Sequence, residues 1–183
     1  MAMYKVDEAS LTAVADAIRA KAGVSEPMEF PNGFVEAVGS IEAGGSDTTI
    51  EDGLIDGTIS GVYRNDRVTI INNSCFYKSG VTEVYFPNVK TVRGSAFNSC
   101  KSLVKADFGS VTTFESMIFN GATALQTLIV RTNQVATLGQ MAIAGSPNIY
   151  VPASLVDSYK AATNWKSYAD TIFAIEDYPD ICA

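Results

Sequence analysis

Hydrophobic positions recur through the middle of the chain at a fixed spacing. Two successive stretches, VKTVRGSAFNSCKSLVKADFGS and VTTFESMIFNGATALQTLIVRT, align Val89 with Val111, Val92 with Phe114 and Phe97 with Phe119 at an offset of 22. The same offset aligns Leu103 with Leu125, Ala106 with Leu128 and Phe108 with Val130. An upstream copy puts Val68, Ile71, Phe76, Val81, Val84 and Phe86 in the same roles, with one residue missing between Phe76 and Val81. A worn downstream copy keeps Val135, Leu138 and Ile143 after a two-residue insertion. With h for an apolar residue, the unit reads V-x-x-h, then Phe, then L-x-x-h-x-h. A period near 22 falls within the roughly 20 to 29 residues of leucine-rich repeats, and L-x-x-h-x-h is their strand signature. One copy cannot bury its own apolar face, so the copies are expected to stack.

Alternation within the strand signature sorts its side chains. Val84 and Phe86, Ala106 and Phe108, and Leu128 and Val130 are predicted to point inward. The outward positions then form two columns, one of Glu83, Lys105 and Thr127 and the other of Tyr85, Asp107 and Ile129.

The flanks carry different patterns. Residues 7–22 predict a helix capped by Asp7 or Ser10 and stopped by Gly23, with Leu11, Val14, Ala15, Ile18 and Ala22 on one stripe. Pro31 opens a second short helix, to residue 42, whose Phe34, Val35, Val38 and Ile41 share a side. Each helix buries too little alone, so its stripe needs the repeats or another copy of the chain as partner. The stretch EAGGSDTT reads as a linker and sets a boundary between residues 1–46 and 47–183. Leu54–Tyr63 alternates apolar and polar residues and reads as strands within an opening cap, residues 47–67, ahead of repeats over 68–150. After Pro152, the helix ASLVDSYKAA with Leu155, Tyr159 and Ala162 on one side, then Trp165, Tyr168 and the apolar run Ile172–Ile175, reads as a closing cap over 151–183. The tail DYPDICA is expected to fray.

Composition narrows the function classes. With 183 residues, 47% of them hydrophobic, the chain can bury a real core. Its net charge of -7 divides as 3 bases against 7 acids in residues 1–46, 8 against 8 in 47–152 and 2 against 5 in 153–183. That balance gives no basic region suited to nucleic acid or anionic lipid. No stretch approaches the ~20 apolar residues that cross a bilayer, and the amphipathic start lacks the pattern of a signal peptide. Cys75, Cys100 and Cys182 have no metal-site spacing and are odd in number, so free thiols are expected, with Cys100 as a small buried apolar residue.

Histidine is absent from all 183 positions, which removes Ser-His and Cys-His pairs, histidine metal sites and the usual general base. The pairs Glu51-Asp52 and Glu176-Asp177 read as solvated surface. No enzyme and no cofactor is expected. One local excess stands out. Lys78, Lys90, Arg93, Lys101 and Lys105 share a stretch with a single acid, Glu83. They form either a solvated face that keeps repeat edges from pairing or a docking surface for an anionic polymer.

The repeat SAFNSCKSLVKADFGSVTTF, with AF-x-x-C-x-x-L at its centre, resembles the BspA-type leucine-rich repeats of bacterial surface proteins and of phages of Gram-positive bacteria. The opening LTAVADAIRAKAGVSEPMEFPNGFVEAVGSI is similar to an N-terminal segment of tail and fibre-like proteins of such phages, and VPASLVDSYKAATNWKSYADTIFAI to their closing cap. The first repeat departs from the pattern with CFYKSG, and the last has lost its Phe in IAGSP. Together these resemblances imply an α+β solenoid, a short BspA-type stack with capping elements and a small N-terminal helical module. They imply a non-enzymatic tail-associated protein, in the virion or at an extracellular surface, whose repeats bind a host cell-wall polymer or surface protein. Residues 7–42 would then hold other tail proteins or further copies of the chain, as in a homotrimer. A bacterial surface adhesin and a purely structural virion component are the alternatives. The outward columns and the basic excess together supply the expected partner-binding residues: Lys78, Glu83, Tyr85, Lys90, Arg93, Lys101, Lys105, Asp107, Thr127 and Ile129.

Overall fold

In the computed structural model, which describes residues 49–50 and 59–182, each copy of the repeat lays down two strands. The V-x-x-h segments form two-residue strands: β1 (Thr49–Ile50), β3 (Ile70–Ile71), β5 (Thr91–Val92), β7 (Thr113–Phe114) and β9 (Thr137–Leu138). The h-x-h endings fall in longer ones: β2 (Ser60–Arg64), β4 (Gly80–Phe86), β6 (Lys105–Phe108), β8 (Thr127–Val130), β10 (Asn148–Val151) and β11 (Ile172–Ala174). The short strands pair in parallel as a five-stranded sheet, β1-β3-β5-β7-β9, and the longer ones as a six-stranded sheet, β11-β10-β8-β6-β4-β2. Two parallel sheets built from successive repeats, with only short helices among the described residues, are compatible with the leucine-rich-repeat solenoid predicted from sequence.

Pairing register reproduces the sequence alignment. Glu83 lies opposite Lys105 and Lys105 opposite Thr127, while the shortened upstream copy puts Ile70 opposite Thr91. The two-residue insertion is visible too, since Thr113 pairs with Thr137 and Phe119 bridges to Ile143. The predicted inward residues of the three clear copies are all buried. Inside, Phe97 stacks between Phe76 and Phe119 with ring centroids 4.7 and 5.4 Å away, and Phe86 stacks on Phe108 at 5.8 Å. Cys100 is buried as expected, donating its S–H to the Phe76 carbonyl at 2.8 Å. All three cysteines are free.

The turn around each repeat Phe continues the hydrogen-bond ladder. Ser95, Phe97 and Ser99 donate their N–H groups to the carbonyls of Ser116, Ile118 and Asn120 at 3.1, 2.8 and 2.8 Å, and Ser74, Phe76 and Lys78 do the same toward Gly94, Ala96 and Asn98. Keeping three amides in line requires left-handed backbone twice per turn. Ser95 and Ser99 have φ of 59° and 61°, and the equivalent Met117 and Gly121 have 59° and 75°. A non-glycine residue there costs about 1–2 kcal/mol, which the bonded amides at the same positions offset.

The two ends of the described stack are built differently. Ser60–Arg64, foreseen as part of an opening cap, pairs with β4 as one more strand of the six-stranded sheet, and Tyr63 packs on Phe76 and Phe86 with centroids 5.2 and 5.8 Å away. At the other end, the predicted helix divides into a 3-10 turn, Ala153–Leu155, and α1 (Val156–Ala161). Polar atoms of this cap stand in for the next repeat. The Trp165 Nε1 donates to the Ala136 carbonyl at 2.7 Å, the Asn164 Nδ2 to that of Leu138 at 2.6 Å and the Tyr168 hydroxyl to that of Ile143 at 2.9 Å. The Tyr159 hydroxyl accepts from the Ala136 N–H at 3.0 Å. Buried Trp165 and Tyr159 meanwhile cover the apolar end, Trp165 lying against Phe114. The run Ile172–Ala174 pairs with β10 as the last strand of the six-stranded sheet.

Residues 177–182 of the tail expected to fray are instead folded. A 3-10 turn, Ile175–Asp177, leads into α2 (Pro179–Cys182), and Cys182 is buried against Ile129 and Tyr150. The predicted helices at 7–22 and 31–42 lie outside the described residues.

Removing the central ring of the Phe stack tests this packing. Phe97→Ala is expected to cost about 3–5 kcal/mol by leaving a cavity between two stacked neighbours. Thermal melts of the variant that overlay those of the wild type would contradict the register.

Candidate interaction surface

Because strands pair in register, residues 21 to 23 positions apart meet side by side on the outward face of the six-stranded sheet. One row runs Arg64, Tyr85, Asp107, Ile129, Tyr150, Phe173, each opposite the next. The other runs Val62, Glu83, Lys105, Thr127, Asn148. The first row changes character halfway, polar on β2, β4 and β6 and apolar on β8, β10 and β11.

The apolar half is covered by the chain itself. Tyr178 packs against Tyr150 and Phe173 with centroids 5.2 and 5.6 Å away, and Cys182 closes over Ile129. Two cations tie this tail down. Lys105 Nζ donates to the Ile181 carbonyl at 2.8 Å, and Arg131 Nη2 donates to that of Cys182. Burial pushes the Cys182 thiol pKa up, an effect opposed by the Arg131 charge.

The polar half stays open. Arg131 holds Asp107 through two bonds, Nε to Oδ1 at 2.9 Å and Nη2 to Oδ2 at 2.8 Å, a planar fork that fixes both side chains. Beside them the Tyr85 hydroxyl donates to Glu83 Oε2, while Lys105 Nζ lies 5.5 Å from the centre of the Tyr85 ring. The hydrogen bond to the Glu83 carboxylate, helped by partial burial and by the negative charges of Glu83 and Asp107, pushes the Tyr85 pKa up to about 12 from 10.0. Arg64, Tyr85, Pro87, Asp107 and Arg131 line a cleft of about 280 Å³ between this face and the tail.

The expected binding residues separate accordingly. Glu83, Tyr85, Lys105 and Thr127 lie together on the outward face, each partly exposed. Asp107 shares that face but is buried and neutralised by Arg131. Ile129 does not belong to an open surface as expected, because the tail buries it completely. The basic residues do not converge. Lys90 and Arg93 flank β5 of the other sheet, Arg93 bonded to Asn72 Oδ1 at 2.7 Å, while Lys78 and Lys101 sit in the turns between the sheets. Arg64 and Arg131, absent from the expected set, border the open half. The same row arithmetic that paired Tyr85 with Asp107 reaches Arg64 on β2; Arg131 follows β8 directly.

Residues 56–158 match the BspA type Leucine rich repeat region (6 copies). The chain belongs to the BspA-type leucine-rich-repeat family. The match spans β2 through the first half of α1, so the family's repeats build this outward face from β2 to β10. No curated protein matches the chain. In the BspA-type frame, Glu83, Tyr85 and Asp107 are repeat positions on the outward face of the six-stranded sheet.

The Tyr85–Glu83 contact predicts a pH signature. Because the folded value lies above that of free tyrosine, the stability this contact adds is complete below pH 10 and is lost as the pH rises toward 12. Ultraviolet titration of wild type against Tyr85→Phe should show one phenol ionising near pH 12, and Glu83→Gln should lower that midpoint toward 10. A Tyr85 midpoint indifferent to Glu83→Gln would remove the hydrogen bond from the site.

Proposed function

We propose that the protein is a non-enzymatic recognition protein of a phage or prophage tail, its repeats contacting the surface of a Gram-positive host. BspA-type repeats suggest a surface or protein-interaction role. The observation that carries the reading further is the half-open outward face, where polar side chains are held in fixed geometry and only the apolar half is sealed. Fixed polar groups lower the ordering cost of binding, as an interaction surface requires. The tail context rests on the similarity of the N-terminal segment to tail and fibre-like proteins, and in this reading residues 7–42 attach the chain to other tail proteins or assemble it as a homotrimer. A surface adhesin with the same repeats is the second reading, favoured by the family membership itself.

Binding of purified full-length protein to intact Gram-positive cells, with its mass in solution taken from light scattering, tests both parts. A trimer that binds cells saturably, and loses binding with Tyr85→Ala, is expected. A monomer at micromolar concentration would contradict the assembly role of residues 7–42, and cell binding indifferent to Tyr85 would contradict the recognition role of this face.

A further inference from the structure

The open cleft beside Tyr85 continues over the rim of the repeats into a second one of about 330 Å³, lined by Lys90, Ser110, Thr112, Thr132, Asn133 and Gln134. Gly109 and Arg131 line both. The ridge between them is low for a steric reason: a Cβ at Gly109 would lie 2.3 Å from the Pro87 carbonyl oxygen, so no side chain can stand there. We propose that this double cleft binds an anionic, polyhydroxylated chain, a charged glycan or polyol phosphate laid across the Gly109 ridge. The assignment rests on the surface-recognition reading and names its ligand class.

Charge selects the sign of the ligand. Asp107 is the only acid among the described lining residues, and Arg131 neutralises it. Arg64 in the first cleft and Lys90 in the second have side chains with no hydrogen bond or ion pair among the described residues. Two cations without an ion pair among the described residues thus border one path on a chain whose net charge is -7. Arg131 sits between them with Nε and Nη2 engaged by Asp107 and Cys182, which holds the guanidinium still and leaves its two Nη1 hydrogens for a ligand.

Hydrogen-bonding capacity selects the rest. Ser110, Thr112, Thr132, Asn133 and Gln134 carry groups that both donate and accept, which suits the hydroxyls of a sugar or polyol. The Thr112 hydroxyl already donates to the Lys90 carbonyl at 3.1 Å, so it presents a lone pair. An acidic peptide would satisfy the cations but has few hydroxyls for the second cleft. Single-stranded nucleic acid binds on successive aromatic platforms, and among the described residues Tyr85 is the only such ring lining either cleft with a partly exposed face.

The test uses the full-length protein and four labelled probes: an oligogalacturonate, a glycerol-phosphate oligomer, neutral dextran and a poly-glutamate peptide of matched charge. At least one of the first two should bind saturably and more weakly as salt rises, dextran should not bind, and the peptide should bind more weakly; which of the two polyhydroxylated anions binds tells whether carboxylate on a sugar or phosphate on a polyol supplies the charge. Arg64→Glu and Lys90→Glu should each weaken that binding about tenfold, near 1.4 kcal/mol, the scale of one charge-assisted contact. Asn133→Trp, which fills the second cleft without changing charge, should do the same, while Lys166→Glu in the closing cap should have no effect. Failure of both polyhydroxylated anions to bind, equal binding of the peptide, an Asn133→Trp variant that binds as wild type, or an equal loss with Lys166→Glu would each overturn the assignment. If cells bind the protein but neither polyhydroxylated anion does, the rim assignment falls and the surface role stands; if such an anion binds at the rim and cells do not, the surface role falls instead.

Discussion

Everything in this fold depends on one backbone contact passed from each repeat to the next: the N–H of Phe76, Phe97 and Phe119 reaching the carbonyl of Ala96, Ile118 and Ala142 at 2.8, 2.8 and 2.7 Å. These bonds lie in turns, where a chain ordinarily gives its amides to water. By continuing the ladder through the turn, each repeat buries its Phe ring beside the next one without leaving the adjacent backbone unsatisfied. The left-handed residues on either side of each Phe follow from that demand, and so does the placement of Ser or Gly at several of them. A ladder of this kind has to end somewhere. At the C-terminal end Tyr159, Asn164, Trp165 and Tyr168 supply side-chain partners for the last backbone groups, so the cap closes the hydrogen bonding as well as the hydrophobic core.

In-register pairing also explains how a binding face arises from a repeat. A side chain on the outward face has as neighbours the residues one period before and after it, and its properties propagate as a row. In the row from Arg64 to Phe173, the change from polar to apolar at Ile129 divides the face in two. The apolar half cannot remain bare, and the tail from Ile175 to Cys182 buries it. Lys105 and Arg131 hold that tail by its carbonyls, which links the sealed half to the charged residues of the open half.

The same geometry decides what was legible in the sequence. The offset of 22 is the pairing register itself, so the core residues, the shortened first copy and the two-residue insertion could all be read directly. The basic cluster could not be read that way. Lys78, Lys90, Arg93, Lys101 and Lys105 are close in sequence, but one period passes through both sheets and the turns between them, and these residues fall on different parts of that path. Residues one period apart, such as Arg64, Tyr85 and Asp107, are the ones that meet. The ordered tail was not legible because DYPDICA carries no periodicity of its own; the signal lay in Ile129, Tyr150 and Phe173, three apolar residues in succession on an outward row that require a cover. The N-terminal helices expected at 7–22 and 31–42 fall outside the described residues.

Native-state hydrogen exchange at the amides of Phe76, Phe97 and Phe119 tests the central contact most directly. If the turns share one continuous ladder with the sheets, these three amides exchange as slowly as those of Ala106 and Leu128 in the strands, through opening of the whole stack. Exchange at the rate of exposed turn amides such as that of Ser102 would mean that the ladder stops at the strand ends, and that something other than the turn amides holds one repeat to the next.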